Sequence, residues 1–301
     1  MGPHRESRPS EKGDLKTLQR RIQPPRTAAS TSSSQSATTR RATCSSASRA
    51  TPTCARRWVF KGGTALKKVH FKTYRFSEDL DFSAIEAPKQ SELEQAIRAA
   101  VDAARAEARK LAPLAMAVER YEERDPRPGG QEAFIVRIQF PWQPRPMVPV
   151  KIEITHDEPL LLSAPAMSIA HGYEETLDAA VRTYAPEEIC AEKLRSTRQT
   201  RAKLITRGWA RPRGRDFYDL WHLVRLDAGR VDWARVTEVL PQKCAHHEVA
   251  ITSIAHVFEA GLLEEVRATW ERTIGPFVPE LPDVEKVLAA TRKRLEGLLR
   301  L

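Results

Sequence analysis

The stretch that decides the fold reads FKGGTAL over residues 60–66 and, after a short gap, RFSEDLDF over residues 75–82. A short apolar run ends at the two glycines, which predicts a strand followed by a turn. The residues after the glycines suit the start of a helix. Residues 74–83 alternate between apolar and polar side chains, which predicts a second strand that carries the acids.

The paired aspartates of this stretch point to metal chemistry. Asp79 and Asp81 lie two residues apart, so a strand places both carboxylates on one face. Two like charges this close repel each other, and a divalent cation with oxygen ligands resolves the repulsion. By itself, the pair equally fits an exposed strand end. Glu153 lies on the polar face of a third predicted strand and adds another carboxylate, unless a contact with Lys151 is its only role.

The glycines upstream of the acids predict a phosphate site. Gly62 and Gly63 allow the backbone to approach a phosphate closely, and the N–H groups at a helix start favour an anion. Thr64 adds a hydroxyl donor, and Lys61 and Arg75 add positive charge. A bare Gly-Gly pair is more simply a tight turn. The nearby acids favour a phosphate cradle beside a metal site.

The net charge of +10 comes almost entirely from the N-terminal segment. Residues 1–57 carry 12 Lys and Arg against 3 Asp and Glu, so residues 58–301 are nearly neutral. Between residues 27 and 53, 15 of 27 positions are Ser or Thr, and burial of the few apolar groups cannot offset the entropy of ordering them. Residues 1–57 are therefore predicted to be a disordered basic tail, and the high charge says little about the substrate.

Several classes of protein are excluded by composition. The sequence has no run of eighteen apolar residues, which argues against a membrane-spanning helix, and no apolar stretch behind its basic N-terminus, which argues against a secretory signal. Its four cysteines lack CxxC spacing, which argues against a zinc site and against a disulfide framework. These features are typical of a cytoplasmic protein.

The pattern after residue 57 predicts an α+β fold with a mixed α/β part over residues 58–162 and a helical part over residues 163–301. Strand signals stop after about residue 162. A capping-box spacing from Ser91 to Glu94 opens the first long helix. Predicted strands occupy residues 115–121, 133–140 and 148–155, and predicted helices occupy residues 91–111, 186–200, 216–226, 233–240, 254–274 and 283–301.

These residues resemble the nucleotidyltransferase AbiEii/AbiGii toxin family of type IV toxin–antitoxin systems, within the DNA polymerase β-like nucleotidyltransferase superfamily. The stretch quoted first is similar to the family's first motif almost letter for letter. Residues 150–154, 191–194 and 215–220 resemble the second, third and fourth motifs, and the resemblance extends over about residues 58–270. It implies a polymerase β-like mixed sheet with flanking helices, making residues 58–162 the nucleotidyltransferase core.

The resemblance also implies roles for individual residues. Asp79, Asp81 and Glu153 would be catalytic and hold Mg²⁺ or Mn²⁺. Lys193, in the third motif, would be catalytic and contact the phosphate of the nucleotide, and Asp216, in the fourth, would be catalytic by orienting that lysine or another basic group. From the sequence alone, Lys193 equally fits a surface pair with a neighbouring glutamate, and Asp216 fits an acid favoured at a helix start.

The activity implied by the resemblance is transfer of a nucleotide from an NTP to an acceptor, with release of pyrophosphate. In some relatives the acceptor is the tRNA 3′ end. The protein would be a bacterial, cytoplasmic toxin of a toxin–antitoxin or abortive-infection system, held in check by an antitoxin encoded alongside. Two alternatives remain open. One is a small-molecule (antibiotic) nucleotidyltransferase, and the other is a catalytically silent nucleotide- or RNA-binding remnant, because a Ser/Thr/Arg-rich segment replaces the helix that usually precedes the Gly-Gly strand.

Overall fold

The structure is a computed structural model that describes residues 57–71, 73–110, 112–122, 130–171, 179–225 and 230–301. The tail predicted over residues 1–57 lies outside the described residues except for its last position. The described residues form the sheet and the helices that carry the candidate site.

In the described part of the chain, a five-stranded mixed sheet supports the site. The strand order is β1-β2-β5-β4-β3, with β2 and β5 parallel and the other neighbours antiparallel. A parallel pair needs a crossover connection, which here runs through a helix, α2 (Gln90–Ala108), and through strands β3 and β4. The strands are β1 (Trp58–Lys61), β2 (Leu80–Ala84), β3 (Ala115–Tyr121), β4 (Gln131–Gln139) and β5 (Val148–Thr155).

Alternation of side chains gives the sheet two different faces. One face packs against α2 (Gln90–Ala108), where Leu93 and Ile97 of the helix are buried with Phe134 and Ile154 of the sheet. Since successive residues of a strand point to opposite sides, the polar residues between these apolar ones are directed to the other face. That face carries the candidate site.

The remaining helices lie mostly in the second half of the chain. A single hydrophobic cluster joins Val59 of β1 to Leu194, Phe217, Leu262 and Leu288 of four helices, so sheet and helical part share one core. The helices are α1 (Gly62–Ala65), α3 (Pro186–Arg207), α4 (Gly214–Arg225), α5 (Trp233–His246), α6 (Ala260–Ile274) and α7 (Val284–Leu298), with a π-helical turn at Leu66–His70 and 3₁₀ turns at Ile254–Val257 and Gly275–Phe277. The predicted α+β fold with a helical C-terminal part is confirmed. None of the described helices is long and apolar enough to cross a membrane.

Several predicted element bounds are wrong for physical reasons. The second strand begins only at Leu80, because the residues before it are held by side-chain contacts with the helical part. The capping box at Ser91 is not formed. Instead, α2 begins at Gln90, whose amide donates to the Glu132 carboxylate of β4 (3.0 Å). The helix predicted from residue 186 extends past residue 200 to Gly208, whose positive φ of 73° ends it.

Two further differences lie in the second half of the chain. Strands do not stop near residue 162, since β6 (Ala166–Ser168) pairs with β7 (Ala180–Arg182). Three-residue strands are too short to show an alternating pattern in the sequence. The helix predicted over residues 254–274 is interrupted before Ala260, where Phe258 turns into the core and its ring lies 5.7 Å from that of Phe217.

Candidate active site

A row of charged residues crosses three strands on the face opposite α2. Lys61 of β1 pairs with Asp81 of β2, and Asp81 pairs with Glu153 of β5. Residues paired in this way point to the same side of a sheet. The parallel β2–β5 pairing therefore places Asp81 and Glu153 side by side, although they are far apart in the sequence.

The two glycines after β1 are needed because other groups approach them closely. Gly62 has φ +75°, and a Cβ there would collide with Oδ2 of Asp81. A Cβ on Gly63 would lie 2.6 Å from Nη2 of Arg75. Real Cβ atoms do not come so close to another heavy atom, so a side chain at either position would displace Asp81 or Arg75, and Gly62 is favoured by its positive φ as well.

Thr64 holds the segment that carries Asp79. The Thr64 hydroxyl donates to the main-chain carbonyl of Asp79 and lies 2.7 Å from the hydroxyl of Ser77. It is buried and lies behind the cavity wall, so its predicted role as a donor to nucleotide stays a prediction. The Asp79 side chain is 40% exposed and lies 3.7 Å from the Arg215 guanidinium.

Lys193 and Arg75 are held by a pair of aspartates from α4. The Lys193 ammonium lies 2.9 Å from Asp216 and 2.6 Å from Asp219. Arg75 makes a bidentate salt bridge with Asp219, with N–O distances of 2.6 and 2.7 Å. The predicted contact between Lys193 and Asp216 is present in the structure. Lys193 pairs with these aspartates and not, as in the alternative, with a neighbouring glutamate on the surface.

The charges in this network keep its members ionised. Burial by itself would lower the pKa of Lys193, but the negative charges of Asp216 and Asp219 outweigh burial and raise it. Burial would likewise raise the pKa of Asp216, but the positive charges of Lys193 and Arg213 hold it well below its usual range. The network therefore keeps Lys193 charged and fixed in position at neutral pH beside the row of acids.

Lys61 is held in place by a buried ionic cluster behind the site. Its ammonium lies 3.4 Å from Glu192, a residue of the third motif. Lys243 of α5 lies 3.3 Å from Glu158, 2.8 Å from Glu188 and 3.1 Å from Glu192, and the Lys243 side chain is fully buried. Sequence reasoning missed this cluster, because a single lysine on a helix gives no signal of three distant acidic partners.

The acids have the donor chemistry for a hard cation. Asp79, Asp81 and Glu153 offer only oxygen, which Mg²⁺ prefers. Among the described residues, however, no three His, Cys, Asp or Glu side chains converge as a group that could hold a metal ion. In the structure Glu153 accepts from Gln131 (2.6 Å) and pairs with Lys151. The contact with Lys151, which was the alternative role predicted for Glu153, is therefore present. The metal role of the three acids stays a prediction.

These groups surround a cavity of about 200 Å³. The sheet side supplies Asp79, Asp81 and Glu153, and the helical side supplies Arg213 and Arg215, which sequence reasoning did not assign. The run RPRGRD over residues 211–216 was the available signal, since three arginines precede the fourth-motif aspartate. Every predicted site residue except Thr64 lines this cavity: Lys61, Gly62, Gly63, Arg75, Asp79, Asp81, Glu153, Lys193 and Asp216.

Comparison with known proteins identifies the class and then the family. The fold is that of a nucleotidyltransferase toxin: it is similar to MenT4, a nucleotidyltransferase toxin from Mycobacterium tuberculosis H37Rv, with a TM-score of 0.56 and 21% identity over 84% of this chain and 79% of that chain. The model of the nucleotidyl transferase AbiEii toxin family, type IV toxin–antitoxin system, matches residues 47–292, and the chain belongs to this family. It is therefore a nucleotidyltransferase. A search of curated proteins finds no match.

Gly62→Ala tests whether the turn must accept the Asp81 carboxylate. We expect nucleotide transfer to fall about 100-fold, because the new methyl group displaces Asp81 and a shift of about 1 Å in a reacting group costs that much. Gly208→Ala is the matched control, since Gly208 has φ +73° but a Cβ there meets nothing within 4 Å. Both glycines have a positive φ of nearly the same size, so both variants introduce strain of this kind, and only Gly62→Ala should lose activity. Equal activity of the two would contradict the assignment.

Proposed function

We propose that the chain is a divalent-metal-dependent toxin that transfers a nucleotide from an NTP to a hydroxyl of an RNA acceptor, with tRNA as the first candidate. The in-register pair Asp81–Glu153, which lines one cavity together with the glycine turn and Lys193, is the observation that carries the proposal. The glycine turn offers a place for phosphate, and the two carboxylates can act on an attacking hydroxyl.

The cavity has the size and charge for the phosphate end of a nucleotide. Its volume of about 200 Å³ is below the roughly 300–1,000 Å³ of a site that encloses a whole ligand of drug size. The N–H groups at the start of α1 and the charges of Lys193, Arg213 and Arg215 suit a triphosphate. These residues bind and orient the NTP.

In the proposed reaction an acceptor hydroxyl oxygen bonds to the α-phosphorus, and the bond to the β-phosphate breaks, so that pyrophosphate leaves. Glu153 would orient the hydroxyl and take its proton. Lys193, fixed by Asp216, offsets the negative charge that develops on the phosphoryl group. Mg²⁺ held by Asp79, Asp81 and Glu153 would supply charge stabilisation at the attacking and leaving oxygens.

Membership of a type IV toxin family supports the biological part of the proposal. The chain would act in the bacterial cytoplasm, arrest growth, and serve in abortive infection under the control of an antitoxin encoded alongside. Induced expression should stop growth, and co-expression of the neighbouring gene should restore it. Growth that continues unchanged on expression of the chain would contradict the toxin role.

The activity is tested by incubating the purified full chain with α-labelled NTPs and total RNA. We expect label in RNA when Mg²⁺ is present, no label after chelation, and recovery when Mg²⁺ is added back. Circular dichroism with and without chelator controls for loss of fold. No label in RNA under any condition would refute RNA transfer, and label on an added aminoglycoside instead would favour the small-molecule alternative. Full transfer in chelator would refute the metal requirement.

A further inference from the structure

An aromatic side chain lies exposed just outside the cavity. The Phe76 ring is 61% exposed, whereas its chain neighbours Arg75 and Ser77 both line the cavity. Because adjacent residues of an extended segment point in opposite directions, Phe76 faces the surface beside the cavity mouth. It has no role in the chemistry described above.

The backbone of Phe76 is held by hydrogen bonds although most of the residue is exposed. Its N–H donates to the carbonyl of Phe277 (2.9 Å), and its carbonyl accepts from the Arg75 guanidinium (3.0 Å). Arg75 is itself fixed by the buried pair with Asp219. An aromatic group on a fixed backbone binds a flat ligand at a low cost in conformational entropy.

One positive group contacts the ring directly. The Lys67 ammonium lies 4.1 Å from the centroid of the Phe76 ring and donates to the carbonyl of Tyr74 (3.1 Å). A second cation, Arg215, stacks on Phe277, whose main-chain carbonyl accepts from the Phe76 N–H, with 4.0 Å from the guanidinium carbon to the Phe277 ring centroid. Exposed aromatics beside cations are elements with which proteins bind single-stranded nucleic acid, since bases stack on the ring while phosphates meet the cations.

We propose that Phe76, with Lys67, stacks a nucleobase of the single-stranded RNA acceptor just outside the reacting end. This inference rests on the proposed function and adds the acceptor-binding surface to it. The acceptor is favoured over the NTP because the cavity already has cations for a triphosphate. Lys67 does not line the cavity. It would therefore meet a phosphate of the longer RNA backbone and not the triphosphate of the NTP.

The test is the affinity of the full chain for an unstructured RNA of about 12 nucleotides, measured by fluorescence anisotropy without NTP. We expect Phe76→Ala to weaken binding about 10-fold and Phe76→Trp to retain it. Trp142→Ala is the control, since Trp142 is 54% exposed and lies in the β4–β5 loop, far along the sheet from Glu153. Lys67→Gln should reduce the slope of log affinity against log salt by about 1.

The KM values separate the two possible sources of the base. Phe76→Ala should raise the KM for RNA and leave the KM for NTP unchanged. Unchanged RNA affinity in Phe76→Ala, an equal loss in Trp142→Ala, or a rise only in the KM for NTP would each overturn the inference. Phe76-dependent RNA binding in a wild-type chain that transfers no label would refute the proposed function while leaving this surface in place.

Discussion

Asp81→Asn is expected to reduce nucleotide transfer about 1000-fold while leaving the fold intact. Asp81 is central to the site because it pairs in register with both Lys61 and Glu153. Gly62 has no side chain, so the Asp81 carboxylate can lie against its backbone. Asparagine keeps the shape and removes the negative charge that a cation needs. A loss of about 4 kcal/mol in stabilisation of the transition state corresponds to about 1000-fold in rate.

The measurement is the initial rate of label transfer to RNA, together with urea unfolding of both proteins. Removing one of several neighbouring negative charges should change the free energy of unfolding by less than about 1 kcal/mol. Asp102→Asn is the matched control, because Asp102 is an exposed acid of α2 on the other side of the sheet. Transfer by Asp81→Asn within about 10-fold of wild type would refute a catalytic role for this carboxylate.

Lys243→Met is expected to lower the free energy of unfolding by about 3–5 kcal/mol at pH 8, a large part of a typical domain's stability. Methionine keeps the length and apolar stem of the side chain but removes its charge. Glu158, Glu188 and Glu192 would then remain buried with less compensation. The partners that remain include Arg195 and His247 for Glu158, Lys61 for Glu192, and the main-chain N–H groups of residues 161 and 162 for Glu188.

The loss should be smaller at pH 5.5 than at pH 8. In the wild type, burial is outweighed by a hydrogen bond from His247 and by nearby cations, which hold the pKa of Glu158 low. A depressed carboxyl pKa stabilises the fold above the unfolded value of about 4.3, and Lys243, with its raised pKa, stabilises it below about 10.4. Both contributions are complete between pH 5.5 and 8. Lys243 is one of the cations that lower the pKa values of Glu158 and Glu192, so those pKa values rise without it and acid relieves the buried charge.

Urea unfolding at the two pH values measures this difference. Lys286→Met on α7 is the control, because Lys286 is exposed and its replacement should change stability by no more than about 0.5 kcal/mol at either pH. A Lys243→Met variant as stable as the control would contradict the structural importance of the cluster. A loss that grows as the pH falls would contradict the proposed origin of the effect.

Local patterns were sufficient for much of the fold. The predicted bounds of β3 and β5 agree with the structure, because the apolar and alternating patterns of strands and their flanking turn residues are properties of neighbouring positions. The same holds for the start of α3 at Pro186, where a proline suits the first helical turn. Elements that depend on distant contacts were predicted less well, as the late start of β2 and the Glu132 cap on α2 show.

The sequence by itself determined the family, the α+β class and the residue types of the site. Those depend on motifs in which Gly62, Gly63, Asp79 and Asp81 are neighbours along the chain. Only the tertiary structure decided how charges from different motifs are paired. Arg75 meets Asp219 and Lys243 meets three glutamates because strands and helices bring them together, and no spacing along the chain predicts which buried cation compensates which acid.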